Sequence, residues 1–143
     1  MITNHNIIAF DYGIKYIGVA ISQWVTCIPK PLTIFVNYNY NTNWRIIKYL
    51  LNKWRPKIVI IGLPLNIKGK NQKITNKTKQ FANQIKNNYN ICVILHDERF
   101  STKEARCRLF KIKGYKFLKK KYIDKESATI ILENWFNIFF KNK

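Results

Sequence analysis

Acidic residues are scarce in this chain. It carries seven Asp and Glu against 26 Lys and Arg in 143 residues, a formal net charge of +19. Long apolar runs are also missing. A bilayer span needs roughly 20 consecutive apolar residues, and the most apolar stretch, Ile130 to Phe140, is short and broken by Glu133, Asn134 and Asn137, so no transmembrane helix is expected. The N-terminal Met1-Ile2-Thr3-Asn4-His5-Asn6 has no basic leader followed by an apolar run and a small-residue cleavage site, which reads as a cytoplasmic protein. Cysteine is limited to Cys27, Cys92 and Cys107, an odd number without Cys-x-x-Cys spacing. That excludes a disulfide framework and a thiolate zinc site, and predicts reduced, mostly buried thiols. Arginine is scarce too, with five among the 26 basic residues.

Hydrophobic residues make up 47% and aromatics 15% of the chain, enough apolar side chain to bury one core and to exclude disorder as the main state. The length fits one domain. A large positive field draws polyanions, and each Lys or Arg that neutralises a phosphate releases counterions, so nucleic acid is the partner the composition points to. Anionic membrane surface is the weaker alternative. Lys, Asn and Ile are abundant throughout, and this general bias discounts the charge as evidence for a dedicated binding surface.

The opening third reads as strands. Ile7-Ile8-Ala9-Phe10 runs into Asp11-Tyr12-Gly13, and Tyr16-Ile17-Gly18-Val19-Ala20-Ile21 resumes the apolar pattern, so a hairpin turning at Gly13 is expected. Pro29 and Pro31 precede Leu32 to Val36, a third strand suited to a sheet edge. From Asn43 the spacing of Ile46, Ile47, Leu50, Leu51 and Trp54 is helical, stopped by Pro56. Lys57 to Gly62 is a continuous apolar run of the kind that fills a central parallel strand. A polar loop from Asn66 to Lys73 leads to a helix with Phe81 and Ile85 inward, and Ile91 to Leu95 repeats the buried-strand signature, completing a βαβ unit. Ser101-Thr102-Lys103-Glu104 has capping-box spacing and predicts another helix start. Lys111 to Lys121 has no periodicity and reads as a mobile basic loop. Asp124 is expected to open a last helix that docks across the sheet through Ala128, Ile131, Leu132, Trp135, Ile138 and Phe139.

Three acids stand out by position. Asp11 ends the first strand and Glu98 follows the 91–95 strand; if those strands are parallel, both carboxylates project from one sheet edge, where α/β proteins usually place function. Asp124 reaches that edge if its helix packs with its N-terminus toward it. Three converging carboxylates repel unless a cation lies between them, and hard divalent ions such as Mg²⁺ or Mn²⁺ prefer such oxygen ligands. A structural reading stands beside this one. Asp before Gly is common in turns, Asp at a helix start is a good cap, and Glu98 can pair with Arg99 or Lys103. His96 beside Asp97 is read as a hydrogen-bonded structural histidine.

Four segments, Phe10 to Ala20, Ile61 to Asn66, His96 to Ala105 and Asp124 to Ala128, resemble in order and spacing the signatures of the bacterial YqgF family, described as Holliday junction resolvases or as pre-16S ribosomal RNA nucleases. The resemblance spans nearly the whole chain. It implies one RNase H-like α/β domain over residues 1–143, with a five-stranded mixed sheet whose first three strands are antiparallel and whose later strands are parallel, flanked by helices. It implies phosphodiester hydrolysis by Asp11, Glu98 and Asp124 with one or two Mg²⁺ or Mn²⁺ ions. The same three acids are the ones that position picks out. Ser127 stands where better-characterised resolvase relatives carry a further acid, and the Gly62-Leu63-Pro64 turn offers no carboxylate.

Nucleic-acid contacts are expected from Lys15, from Arg99, Ser101 and Thr102 near a helix start, and from Lys119, Lys120 and Lys121, where Tyr115, Phe117 and Tyr122 interleave with lysines as in single-strand binders. A solvated lysine run is the other reading of that last segment. The leading expectation is a metal-dependent nuclease acting on precursor ribosomal RNA. Resolution of four-way DNA junctions and a non-catalytic RNA-binding role in ribosome assembly are the alternatives. The Asp11-x-Gly13 hairpin also resembles the phosphate-binding turn of actin-like ATPases, but those enzymes close two lobes over the nucleotide and this length supplies one.

Overall fold

In a computed structural model, the described residues are 4–65, 72–98 and 120–141, with the backbone alone for 120–125 and 141. Five strands, β1 (Asn6–Tyr12), β2 (Tyr16–Gln23), β3 (Lys30–Val36), β4 (Ile58–Leu63) and β5 (Cys92–Asp97), form one sheet in the order β3-β2-β1-β4-β5. β1 pairs antiparallel with β2, and β2 with β3, whereas β1, β4 and β5 run parallel. The expected mixed sheet is therefore present. Helices α1 (Trp44–Trp54), α2 (Lys73–Tyr89) and α3 (Lys120–Lys141) flank it.

Strand alternation divides the core into two layers. Ile8, Phe10, Ile17, Val19, Val59 and Ile61 face α1 and α2, meeting Ile47, Leu50, Leu51, Phe81 and Ile85. Ile7, Ala9, Ala20 and Ile60 face α3, meeting Ala128, Ile131, Leu132, Trp135 and Phe136. Asn43 caps α1 by accepting from the Arg45 N–H, and Arg55, in the left-handed region at φ 43°, closes it just before Pro56. At the start of α2 the buried Thr75 hydroxyl accepts from the Gln72 N–H and donates to the Pro64 carbonyl. That pair fixes the turn after β4 to the helix that follows.

Several expectations change. α3 begins at Lys120, so Asp124 lies inside the helix and is not its cap, and Lys120 and Lys121 belong to the first helical turn. Lys carries good helix propensity even without an apolar stripe, which periodicity does not register. β5 is an edge strand, with Cys92 and Leu95 exposed, because it has a neighbour on one side only. Cys27 is half-buried and Cys92 exposed, so the thiols are not mostly buried. The predicted helix from Ser101 and the loop up to Lys119 lie outside the described residues. No described helix is long and apolar enough to cross a membrane.

Candidate active site

The site is built on the end of the sheet where β1, β4 and β5 finish. Asp11 pairs with Gly18 of β2, and one step beyond the Phe10–Ile61 pair it stands beside Gly62 of β4, which pairs in turn with His96 of β5. Alternation puts Gly18, Asp11, Gly62 and His96 in one transverse row on the α3 face. Glycine therefore stands on both sides of the half-buried Asp11.

Gly62 is the floor of the site. A Cβ built there would lie 2.8 Å from Glu98 Oε1, 3.0 Å from Glu98 Cδ and 2.5 Å from Ile131 Cδ1 of α3. The Glu98 carboxyl thus folds back from the end of β5 over the strand next to Asp11, occupying space that any side chain at 62 would fill. Parallel β1 and β5 bring the two acids to one edge and one face, as their positions in sequence predict. Among the described residues no three metal-donor side chains converge. Asp124 lies in α3, four residues before Ala128 and seven before Ile131, both of which pack against this face; its side chain is outside the described set.

His96 is buried in the same row. Its pKa is lowered, chiefly because burial disfavours the imidazolium, with the Asp97 charge opposing. Burial thus favours the neutral ring. At the adjoining hairpin, a Cβ on Gly13 would lie 2.6 Å from the Tyr16 carbonyl oxygen, which accepts from the Gly13 N–H at 3.0 Å. Glycine is needed there for close approach. Lys15 sits in this turn, at the acid end of the sheet. Arg99, Ser101, Thr102 and Lys119 lie outside the described residues, and Lys120 and Lys121 are placed by backbone alone.

Residues 5–138 match the family model described as RuvX: Holliday junction resolvase. The chain belongs to the RuvX family. A curated relative from Wigglesworthia glossinidia brevipalpis is 49% identical over 142 residues, 99% of each chain. Another, from Buchnera aphidicola of Acyrthosiphon pisum (strain Tuc7), is 48% identical over 131 residues, 92% of this chain and 97% of its own. Both bear the name "Putative pre-16S rRNA nuclease". Thermus thermophilus RuvC in complex with Holliday junction substrate aligns over 93% of this chain and 96% of its own, with TM-score 0.57 and 13% identity, a likeness of fold. The RuvX match bears out the resemblance seen in the four segments, and the chain is a member of a nuclease family with a RuvC-like, RNase H-type fold.

Two features escaped sequence reasoning. The Gly62-Leu63-Pro64 turn reads from sequence as a segment without a carboxylate, whereas its glycine makes room for the carboxylate of Glu98. His96, read as structural, lies in the same transverse row as Asp11. A glycine ending an otherwise unbroken apolar strand, level with an acid at the end of a parallel neighbour, was the available signal.

Proposed function

We propose that this RuvX-family chain is a divalent-metal-dependent nuclease that cleaves phosphodiester bonds of precursor 16S ribosomal RNA in the cytoplasm, from a single domain. The observation that carries this reading is the glycine-floored placement of Asp11 and Glu98 on one face of one sheet edge. Two acids in so basic a chain are drawn together beside α3, and their donor chemistry fits a hard cation. Asp11 and Glu98, with Asp124 from α3, would hold Mg²⁺ or Mn²⁺, one or two ions. When bound, such an ion activates water and neutralises charge on the phosphate.

The protein's own groups set the geometry. Asp11 stands at the end of a central strand paired on both sides as far as Phe10, and Glu98 lies over Gly62 near Ile131, so the two carboxylates are preorganised. Carboxylate oxygens at these positions accept hydrogen bonds from a water aligned on the phosphorus. His96 is buried on β5 in the same transverse row as Asp11. Lys15, Arg99, Ser101, Thr102 and the lysines at 119, 120 and 121 are assigned to phosphate contact, which positions the strand without reading bases.

The family description as a Holliday junction resolvase supports a second substrate, four-way DNA. The experiment sets precursor 16S ribosomal RNA against a four-way DNA junction, each with Mg²⁺, Mn²⁺ or EDTA. Metal-dependent cutting of the RNA supports the proposal, and cutting confined to the junction replaces it with resolution. Salt-sensitive binding without any cutting overturns the nuclease reading in favour of an RNA-binding assembly factor.

A further inference from the structure

Beside the acids, on the same face, lies a concavity of which the nuclease reading uses Lys15 alone. It has a volume of about 520 Å³ and is lined by Ile14, Lys15, Tyr16, Val36, Tyr38 and Asn39. Tyr16 and Val36 are cross-strand partners two residues beyond the Gly18–Ile34 pair, and Gly18 is the partner of Asp11. With strands about 4.8 Å apart and about 3.3 Å per residue along them, Val36 lies about 12 Å from Asp11. The cavity is therefore within the footprint of a short strand whose phosphate is at the acids.

The cavity is built. Asn37, fully buried, donates from its backbone N–H to the Lys15 carbonyl at 2.6 Å and from Nδ2 to the Gly13 carbonyl at 2.5 Å, while its Oδ1 accepts from the Thr42 hydroxyl at 3.0 Å. One side chain thus ties the β1–β2 turn to the segment after β3. Tyr38 to Asn41 then form a tight turn, closed by the Asn41 N–H to Tyr38 carbonyl bond at 2.8 Å, with Asn39 at φ 49° and Tyr40 at φ 66°. A bulky residue in the left-handed region is strained, and such strain persists only when neighbours impose it. Here the Tyr40 ring stacks on Tyr12 at 6.2 Å and lies under the ammonium groups of Lys73 at 5.9 Å and Lys77 at 5.6 Å.

Tyr38 has the opposite surroundings. The residue is 79% exposed and its ring makes no ring contact among the described residues, next to the exposed Ile14 and Val36. The described lining holds one charged side chain, Lys15, and no acid. An exposed aromatic on a pinned turn, an apolar wall and a single cation are the parts of a base-stacking site with a phosphate anchor.

We propose that this cavity receives an unpaired nucleobase of the substrate strand beside the cleaved phosphate, with Tyr38 as stacking platform and Lys15 as phosphate contact. The proposal rests on the nuclease reading for the identity of the strand, and it makes the enzyme selective for single-stranded segments next to the cut. Duplex lacks a free base face to offer.

The test is a titration, in EDTA, of the full chain with a single-stranded RNA oligonucleotide carrying 2-aminopurine and with the same sequence as a duplex. Stacking quenches 2-aminopurine. Tyr38→Ala is expected to weaken single-strand binding by about 5- to 150-fold and to abolish the quench, leaving duplex affinity unchanged, while Tyr38→Phe restores both. Lys15→Ala is expected to lower the salt slope by about 0.7. Should Tyr38→Ala melt early, Val36→Glu, at an exposed wall position, supplies the same loss. Equal single-strand binding and quench in Tyr38→Ala, or an equal loss on duplex, overturns the proposal. The two readings separate cleanly: Tyr38-dependent binding with no cleavage in Mg²⁺ sinks the nuclease, and unaltered KM for precursor RNA in Tyr38→Ala sinks the subsite.

Discussion

Replacing Gly62 by Ala places one methyl group between β4 and the acid that lies over it. The new Cβ would meet Ile131 Cδ1 at 2.5 Å and Glu98 Oε1 at 2.8 Å, against an ordinary carbon contact of about 3.5–4.0 Å. Both atoms must retreat by about 1 Å. Ile131 is 3% exposed in the α3 layer, so most of the yielding falls on Glu98. Two terms of opposite sign act on stability. Removing a glycine from a strand gains about 0.4–1 kcal/mol from the unfolded chain, and overpacking costs about 1–3 kcal/mol. The cost wins, with a net loss of up to about 2.5 kcal/mol and a melting temperature lower by several degrees. Activity suffers more, because a 1 Å misplacement of a catalytic group costs on the order of 10²-fold. The assay is metal-dependent cleavage of precursor 16S ribosomal RNA at a temperature where both proteins are folded, with melting followed by circular dichroism. Wild-type cleavage by a stably folded Gly62→Ala protein would refute the reasoning, since the placement of the Glu98 carboxylate would then not matter to the reaction.

Two further outcomes are expected from the neighbouring residues. Asn37→Ala removes both side-chain bonds of a fully buried amide and leaves the Gly13 carbonyl without its Asn37 donor; a loss of about 2–4 kcal/mol should appear in urea unfolding, and an unchanged midpoint would show that the turn does not depend on it. For His96, the folded pKa is lowered by burial, so below the unfolded value of about 6.5 the unfolded chain binds a proton that the folded chain does not. Stability is then fully present above about pH 6.5 and falls as the pH drops from there toward the folded pKa. Melting temperatures between pH 7.5 and 5.5 should show this decline in wild type and a shallower one in His96→Gln; parallel curves would remove His96 as its source.

Much of the architecture is legible because strand burial writes itself into the sequence. Period-two and continuous apolar runs locate β1, β2, β4 and β5, and the Asp-Tyr-Gly turn joins the first two, so the parallel arrangement of β1 and β5 brings Asp11 and Glu98 to one edge. What escapes is carried by space and not by side-chain type. Gly62 matters through the carboxylate that it makes room for, and its place at the end of an apolar strand marks a close approach without saying which group approaches. α3 starts before Asp124 because Lys120 and Lys121 add helical residues without an apolar stripe. The exposure of Cys92 follows from β5 lying at the sheet edge, which depends on strand order. Tyr38 is one aromatic in an asparagine-rich run, and its role depends on the turn that Asn37 anchors to Gly13 and Lys15.

The central claim is that Asp11 anchors a metal-dependent phosphodiester cleavage. The most direct measurement is cleavage of precursor 16S ribosomal RNA by wild type and by Asp11→Asn, each with Mg²⁺, Mn²⁺ or EDTA, with binding to the same RNA recorded in EDTA. Wild type is expected to cut with either metal and not with EDTA, and Asp11→Asn is expected not to cut under any condition although it binds the RNA as tightly. Equal cutting by the two proteins, or cutting by wild type in EDTA, would contradict it.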